Sequence, residues 1–387
     1  MDLSIYLSEI EDCFRDQDNW KKNTLGHTIE KYHPELSLRD FDIAILGVQE
    51  NRGSVEPYSD ELSTRKIRDN YYPLFNHFPN VKILDMGDVL AGNKISDTYF
   101  AVTNVVQELI KKEIIPVLIG GSQDLTYAKY LAYEGLEQSV NLVTVDPKID
   151  IGIIEDQIDD SNYINQIVMH QPNYLFNYSN IGYQSYFSDD ELVSLLEKLN
   201  FDSYRLGVVK NNIEELEPVI RNADMFSFDL GAISAETSPG SKEASPNGLN
   251  GETACKLSRY AGMSDKLTSF GIYNYVSGKD KDERSAKLIA QMLWYFIDGY
   301  NNRMGDYPVS SVQSCTKYIV SVTDENLDLT FYKSEKSGRW WIEVPYPEDT
   351  NSIHRRHLIM PCSYKDYLAA CDGSLPERWW KTYQKIV

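Results

Sequence analysis

Six short apolar runs, rich in β-branched residues and mostly followed by turn residues and then a helical pattern, constrain the fold of this chain more than any other feature. Runs of this kind, apolar at nearly every position rather than at alternate ones, read as parallel strands buried on both faces in βαβ units. They fall at Asp42 to Val48, Val81 to Met86, Ile115 to Ile119, Asn141 to Val145, Met225 to Phe228 and Ser269 to Tyr273. Thr98 to Lys112, Asp189 to Leu199 and Glu252 to Ala261 carry helical spacing. Glu283 to Tyr300 places Leu288, Ile289, Met292, Leu293, Phe296 and Ile297 at three- and four-residue steps, the stripe of a helix packed on a core. The expected class is α/β, a three-layer α/β/α arrangement around a doubly wound, mostly parallel sheet.

From about Pro308 the pattern changes. CTKYIVSV, LDLTFYK and GRWWIEV read as an antiparallel set punctuated by DEN and KSGR turns, followed by a helix with Ser363 as N-cap and Gly373 as its stop. The chain therefore divides into an N-terminal helical extension (residues 1–39), the α/β domain (40–306) and a C-terminal β-rich appendage ending in a helix (307–387). Trp340, Trp341, Trp379 and Trp380 either pack that appendage onto the core or anchor a partner at an interface.

A formal net charge of -20 repels phosphate backbones, and no basic stripe offsets it, so nucleic acid is excluded as a partner. No stretch approaches the roughly 18 consecutive apolar residues of a membrane span. The acidic start MDLSIYLSEIEDCF lacks the features of a secretion signal. Five scattered cysteines without a CxxC pair fit a reducing cytoplasm. The one basic cluster, His354 to His357 (HRRH), reads as a solvated loop or as a site for an anion or acidic partner. Gly120-Gly121 lacks the lysine of a P-loop, and no serine or cysteine sits in a nucleophile context.

In a parallel sheet, ligands bind outside the carboxyl ends of the strands. Four unusual segments lie there: GVQENRG from Gly47, GGSQD from Gly120, DPKID from Asp146, and Asp229 with the loop running to Gly240. Asp124, Asp146, Asp150 and Asp229 gathered in one crevice would make a candidate hard-cation site, because clustered carboxylates need a compensating positive charge.

GGSQD, DPKID and SFDLG, the last running on to SPG at Ser238 to Gly240, resemble in order the Gly-Gly-Asp-His-Ser, Asp-x-His-x-Asp and Ser-x-Asp-x-Asp segments of the ureohydrolases, the family of arginase, agmatinase and formimidoylglutamase. TRKIR (Thr64 to Arg68) and NYVSGKD (Asn274 to Asp280) add to the likeness, which spans roughly Asp40 to Tyr300. The resemblance implies an arginase-like fold, trimers or hexamers, and a two-manganese site. Residue by residue, the family's metal ligands remain at Asp146, Asp150 and Asp229, while its other three positions hold Gln123, Lys148 and Gly231. The family glutamate that holds the guanidinium or amidine falls on Asn274, and a substrate-side histidine on His170.

A glutamine amide is a poor donor beside imidazole, and an ammonium has no lone pair to give. The expectations are thus a degenerate site without a cofactor, in which the Lys148 ammonium bridges Asp146, Asp150 and Asp229, and a catalytically silent protein that binds an unknown protein or small molecule. The alternative is a hydrolase of C–N bonds in a linear amidine, with one manganese on Asp124, Asp146, Asp150 and Asp229.

Overall fold

The computed structural model describes residues 2–153, 157–308, 315–322, 327–345 and 352–386. Nine strands form the main sheet: β1 (Glu30–Lys31), β2 (Ile43–Val48), β3 (Ile83–Val89), β4 (Ile115–Ile119), β5 (Val140–Val145), β6 (Leu175–Tyr183), β7 (Asp202–Arg205), β8 (Met225–Asp229) and β9 (Ser269–Tyr273). Their order is β1-β3-β2-β4-β9-β8-β5-β6-β7, and every pairing is parallel. All six runs read from sequence are strands of this sheet, which is the expected arginase-like α/β architecture.

The apolar runs are continuous because both faces are covered. Ile43 and Ile45 enter one core with the helix Arg284–Asn301, and Ala44 and Leu46 enter the other with the helix Ile95–Lys111. Three strands carry no such signal. β6 is interrupted by Asn177, Ser179 and Asn180, whose side chains are hydrogen-bonded within the fold, and β1 and β7 are short edge strands. One step of the topology prepares a site. After β4 the chain leaves a gap, places β5 beyond it, and later fills the gap with β8 and β9, so that the carboxyl ends of β4, β9, β8 and β5 lie side by side.

The first forty residues differ from the helical extension expected. They hold only single helical turns such as Asp12–Arg15 and Leu25–Thr28, and then β1 pairs with β3. Aromatic packing fixes this segment: Phe14 and Trp20 stack at 6.4 Å and both meet the buried Tyr72 edge-on.

The C-terminal strands β10 (Cys315–Val322), β11 (Leu327–Ser334) and β12 (Trp340–Glu343) are antiparallel as expected, and a fourth, β13 (Ile359–Cys362), pairs with β12. Pro361 hides β13 in the sequence, because proline belongs at a sheet edge, which is where β13 lies. Ser363 and Asp366 form a capping box on the helix Tyr364–Cys371, and Gly373 takes a left-handed φ of 87° just beyond it. The DEN turn lies outside the described residues.

The second sheet is fastened to the first by buried cations. Arg221 donates to the carbonyls of Trp340 (3.2 Å) and Cys362 (3.3 Å) and lies 4.4 Å from the Trp341 ring. Arg356 meets the buried Asp224 at 2.6 Å, and His357 meets Ser139 at 2.8 Å. For Arg356 and His357 these inward contacts correct the reading of the basic cluster as a solvated loop; the His354 side chain is outside the described residues. Trp340, Trp341 and Trp379 are buried, so packing accounts for them, whereas Trp380 is exposed. Among the described residues no helix is long and apolar enough to cross a membrane.

Candidate functional site

Each strand end delivers its side chains by a local device. After β4, Gly120 and Gly121 take left-handed φ values of 84° and 76°, a turn that a side chain at either position would block against Val48 or Leu125. That turn feeds the helix Leu125–Glu134 and leaves Gln123 and Asp124 fully buried at its start. After β5, the Lys148 N–H donates to Asp146 Oδ1 at 2.8 Å, and Asn180 Nδ2 donates to the Lys148 carbonyl at 2.7 Å. At the end of β8, Asp229 Oδ1 accepts the Gly231 N–H at 2.6 Å. After β9, Asn274 holds a left-handed φ of 62°, with its N–H on the Gly121 carbonyl at 2.8 Å. Asparagine tolerates that conformation better than most residues do.

The structure places Gln123, Asp146, Asp150, Asp229, Gly231 and Asn274 together at the carboxyl edge of the sheet. Asp146 and Asp150 lie side by side; the Gln123 amide faces Asp146, and the Asn274 amide faces Asp229. Burial, then the charge of Asp150, pushes Asp146 well above the usual carboxylate range. Burial, then the charge of Asp146, does the same to Asp229. Asp150 is pushed up to about 8, chiefly by burial and further by Asp229.

Asp124 belongs to a neighbouring part of the crevice. It accepts the Tyr99 hydroxyl, burial raises it to about 7, and the charges acting on it come from Asp160 and Glu50. A side chain on Gly53 would strike the Asp124 carboxylate, with its Cβ 2.1 Å from Oδ2. The surrounding anions are paired: Asp160 with Lys242 at 2.7 Å, and Glu50 with Arg52 at 2.5 Å. Tyr99 and Asp160 carried no signal in the sequence, because they lie outside the strand-end motifs; Lys242, just past the SPG segment, is tied to the site only by its pair with Asp160. Glu50 lay within the unusual GVQENRG segment.

Lys148 does not bridge the carboxylates. Its ammonium turns outward and pairs with Glu243, the two side chains being 35% and 51% exposed. Nor, among the described residues, do other ammoniums take its place: Lys242 is on Asp160, and the fully buried Lys129 donates to the Phe226 carbonyl at 3.0 Å. Removing Lys148 should therefore cost little stability. Lys148→Ala should lower unfolding stability by about 1 kcal/mol or less, the usual worth of an exposed pair. Urea unfolding checks this, and a loss of several kcal/mol would return Lys148 to the cluster.

His170 is not at this crevice's carboxylates. Its ring contacts Tyr127 (3.2 Å) and Glu134 (3.0 Å) on the helix Leu125–Glu134, and it packs edge-on to Tyr130, a structural role.

Four buried acceptor oxygens in the crevice lack a hydrogen-bond donor: Gln123 Oε1, Asp124 Oδ1, Asp146 Oδ2 and Asn274 Oδ1. Among the described residues no three His, Cys, Asp or Glu side chains form a ready-made metal group. A cation here would therefore need the amide oxygens beside the carboxylates. That all-oxygen set fits a hard ion such as manganese, magnesium or calcium.

Beside the crevice the Gln184 N–H donates to the Pro147 carbonyl at 2.9 Å, and beyond it opens a cleft of about 520 Å³. Its only ionised side chains are Arg205 and Lys210, set among Tyr183, Tyr186 and Asn247.

A sheet of this order, with acidic side chains converging at the ends of β4, β5 and β8, defines an α/β protein with an acidic crevice at its carboxyl edge. The arginase-family model matches residues 41–298, and the chain belongs to the arginase family. Among its relatives, the formimidoylglutamase of Staphylococcus haemolyticus (strain JCSC1435) is 23% identical over 278 residues, 66% of this chain and 85% of that protein. That of Geobacillus sp. (strain WCH70) is 24% identical over 269 residues, 66% and 81%. The same fold occurs in Trypanosoma cruzi formiminoglutamase with Mn2+2, with a TM-score of 0.65, 16% identity, and 72% of this chain and 99% of that one covered. Formimidoylglutamase from Bacillus subtilis subsp. subtilis str. 168 gives a TM-score of 0.66 at 15% identity, covering 79% and 99%.

The expectation that no cofactor is bound is corrected by these relatives. Formimidoylglutamases recur among them, and one that shares the fold carries manganese, an ion that the unpartnered oxygens of this crevice suit.

Proposed function

We propose that this chain is a formimidoylglutamase-type hydrolase of a carbon–nitrogen bond in a linear amidine that also bears carboxylates, acting with one manganese ion. One observation carries the reading: Asp146, Asp150 and Asp229 are gathered without an ammonium between them, beside amide oxygens that no donor satisfies. A cluster of carboxylates at such cost to the fold is kept where a cation compensates it. This favours the hydrolase over the silent binding protein that the loss of both imidazoles first suggested.

Asp146, Asp150 and Asp229, with Gln123 Oε1 and Asn274 Oδ1, would hold the ion. When bound, manganese makes an associated water a better nucleophile near neutral pH. Hydrolysis adds the water oxygen to the amidine carbon and returns a proton to the departing nitrogen. Asp124 is placed to carry that proton at Oδ1, since its carboxyl titrates at about 7 and its other oxygen is fixed by Tyr99. The acidic crevice attracts the cationic amidine end. Arg205 and Lys210 in the adjoining cleft suit carboxylates at the other end, which agmatine lacks. Five free thiols are consistent with work in a reducing cytoplasm.

The test is product release from N-formimidoyl-L-glutamate, arginine and agmatine by manganese-loaded protein. Hydrolysis of the acidic amidine is expected, with KM raised about tenfold or more in Arg205→Gln/Lys210→Gln, the loss of a charge-assisted contact. No turnover of any of the three by protein that holds stoichiometric manganese would overturn the reading.

A further inference from the structure

The position between Asp146 and Asp150 is held by lysine, whose ammonium can compete with a metal cation for them. The backbone of Lys148 is fixed on both sides, by its N–H on Asp146 and its carbonyl on Asn180, so only the side chain can choose where its charge goes. It chooses Glu243. An ion pair as exposed as this is worth about 0.2–1 kcal/mol, so little energy holds the ammonium at Glu243. Both Asp150 and Asp229 already act electrostatically on that ammonium.

Glu243 itself is not a casual surface residue. The preceding Lys242 is nailed to the fold by its N–H on the Asn274 carbonyl (2.9 Å) and by its buried pair with Asp160 (2.7 Å). Two residues later, the Ser245 carbonyl accepts the Ala235 N–H at 2.7 Å. The glutamate is therefore presented at a fixed place on the rim, opposite Lys148.

We infer that Glu243 is a latch that holds the Lys148 ammonium out of the carboxylate cluster, and that the Lys148–Glu243 pair sets how tightly the cluster takes a divalent cation. This rests on the cation-binding reading given above. With the latch closed, the cluster is open to the ion. With it released, the tethered ammonium finds its strongest remaining attraction in Asp150 and Asp229, where it stands as an intramolecular competitor that an ion must displace.

The experiment is calorimetric titration of Mn2+ into the full chain stripped of metal, for the parent, Glu243→Gln, Lys148→Met and the double variant. Both side chains are partly exposed, so all four proteins should fold. Glu243→Gln should weaken Mn2+ binding severalfold, up to about fivefold, the most that losing a pair worth up to about 1 kcal/mol can shift. Lys148→Met should bind as tightly as the parent or tighter, and adding Lys148→Met to Glu243→Gln should restore the parent's affinity. If Glu243→Gln binds like the parent, or if the double variant stays as weak as Glu243→Gln, the latch is refuted while the cation site stands. A parent that takes up no Mn2+ would overturn the cation site and the latch with it.

Discussion

Manganese supplied at a hundred times its dissociation constant should raise the unfolding free energy of the metal-stripped protein by about 2.7 kcal/mol, since it binds the folded chain alone. For a chain of 387 residues that is a rise in Tm of roughly 3 to 5 °C. Asp146→Asn should abolish the shift, because it removes a charge from the cluster and the unpartnered Oδ2 acceptor. Above about pH 8, where the buried carboxyls lose their protons and repel one another, the same variant should make the metal-free protein more stable than the metal-free parent. A parent Tm indifferent to manganese would contradict the site.

The pH dependence of the metal-free protein follows from the same groups. Asp124 and Asp150 titrate at about 7 and about 8 in the fold, and Asp146 and Asp229 also titrate well above the usual range. Unfolded carboxyls titrate at about 4. Between those values the folded chain holds protons that the unfolded chain has lost, so this contribution is full below about pH 4 and disappears as pH rises through about 7 to 8. Thermal unfolding of the stripped protein should show Tm falling across that window, and manganese should flatten the fall. A Tm that rises from about pH 5 to 8 without metal would show that these carboxyls are not the ones that dominate.

The largest single-residue loss of stability is expected at Arg68, in the TRKIR segment. Its guanidinium is buried against Asp85, with contacts of 2.9 and 3.0 Å, and reaches Asp88 at 2.6 Å. Asp85 is fully buried and also accepts the Tyr72 hydroxyl at 2.8 Å. Arg68→Leu would leave that carboxylate charged in the core without its cation, which costs about 3–5 kcal/mol. That is a large part of the stability of an ordinary domain, about 5–15 kcal/mol. Denaturant unfolding measures it, and Arg68→Leu/Asp85→Leu should recover much of the loss, because it is the orphaned charge that is costly. A loss below about 1 kcal/mol would mean that water reaches Asp85.

Much of the fold was legible because strands buried on both faces must be apolar throughout. The runs at β2, β4 and β9 announce themselves for that reason, and the glycines and aspartates that follow them mark the carboxyl edge. β6 was missed because its buried asparagines and serine are satisfied by partners far along the chain, such as the Lys148 carbonyl for Asn180. A polar residue in a sequence does not show whether its hydrogen bond will be made. The helical reading of the first forty residues failed similarly, since Phe14 and Trp20 are placed by Tyr72, outside that segment.

The sequence by itself determined the strand-end motifs, their order, and hence the family and the crevice, because these depend on residue types at local spacing. It also showed that glutamine and lysine stand where imidazoles were expected. Only the tertiary structure decided what that lysine does. A side chain's charge goes to whichever partner the folded chain presents, and the loop after β8 presents Glu243 to Lys148, leaving the carboxylates beneath without an ammonium between them.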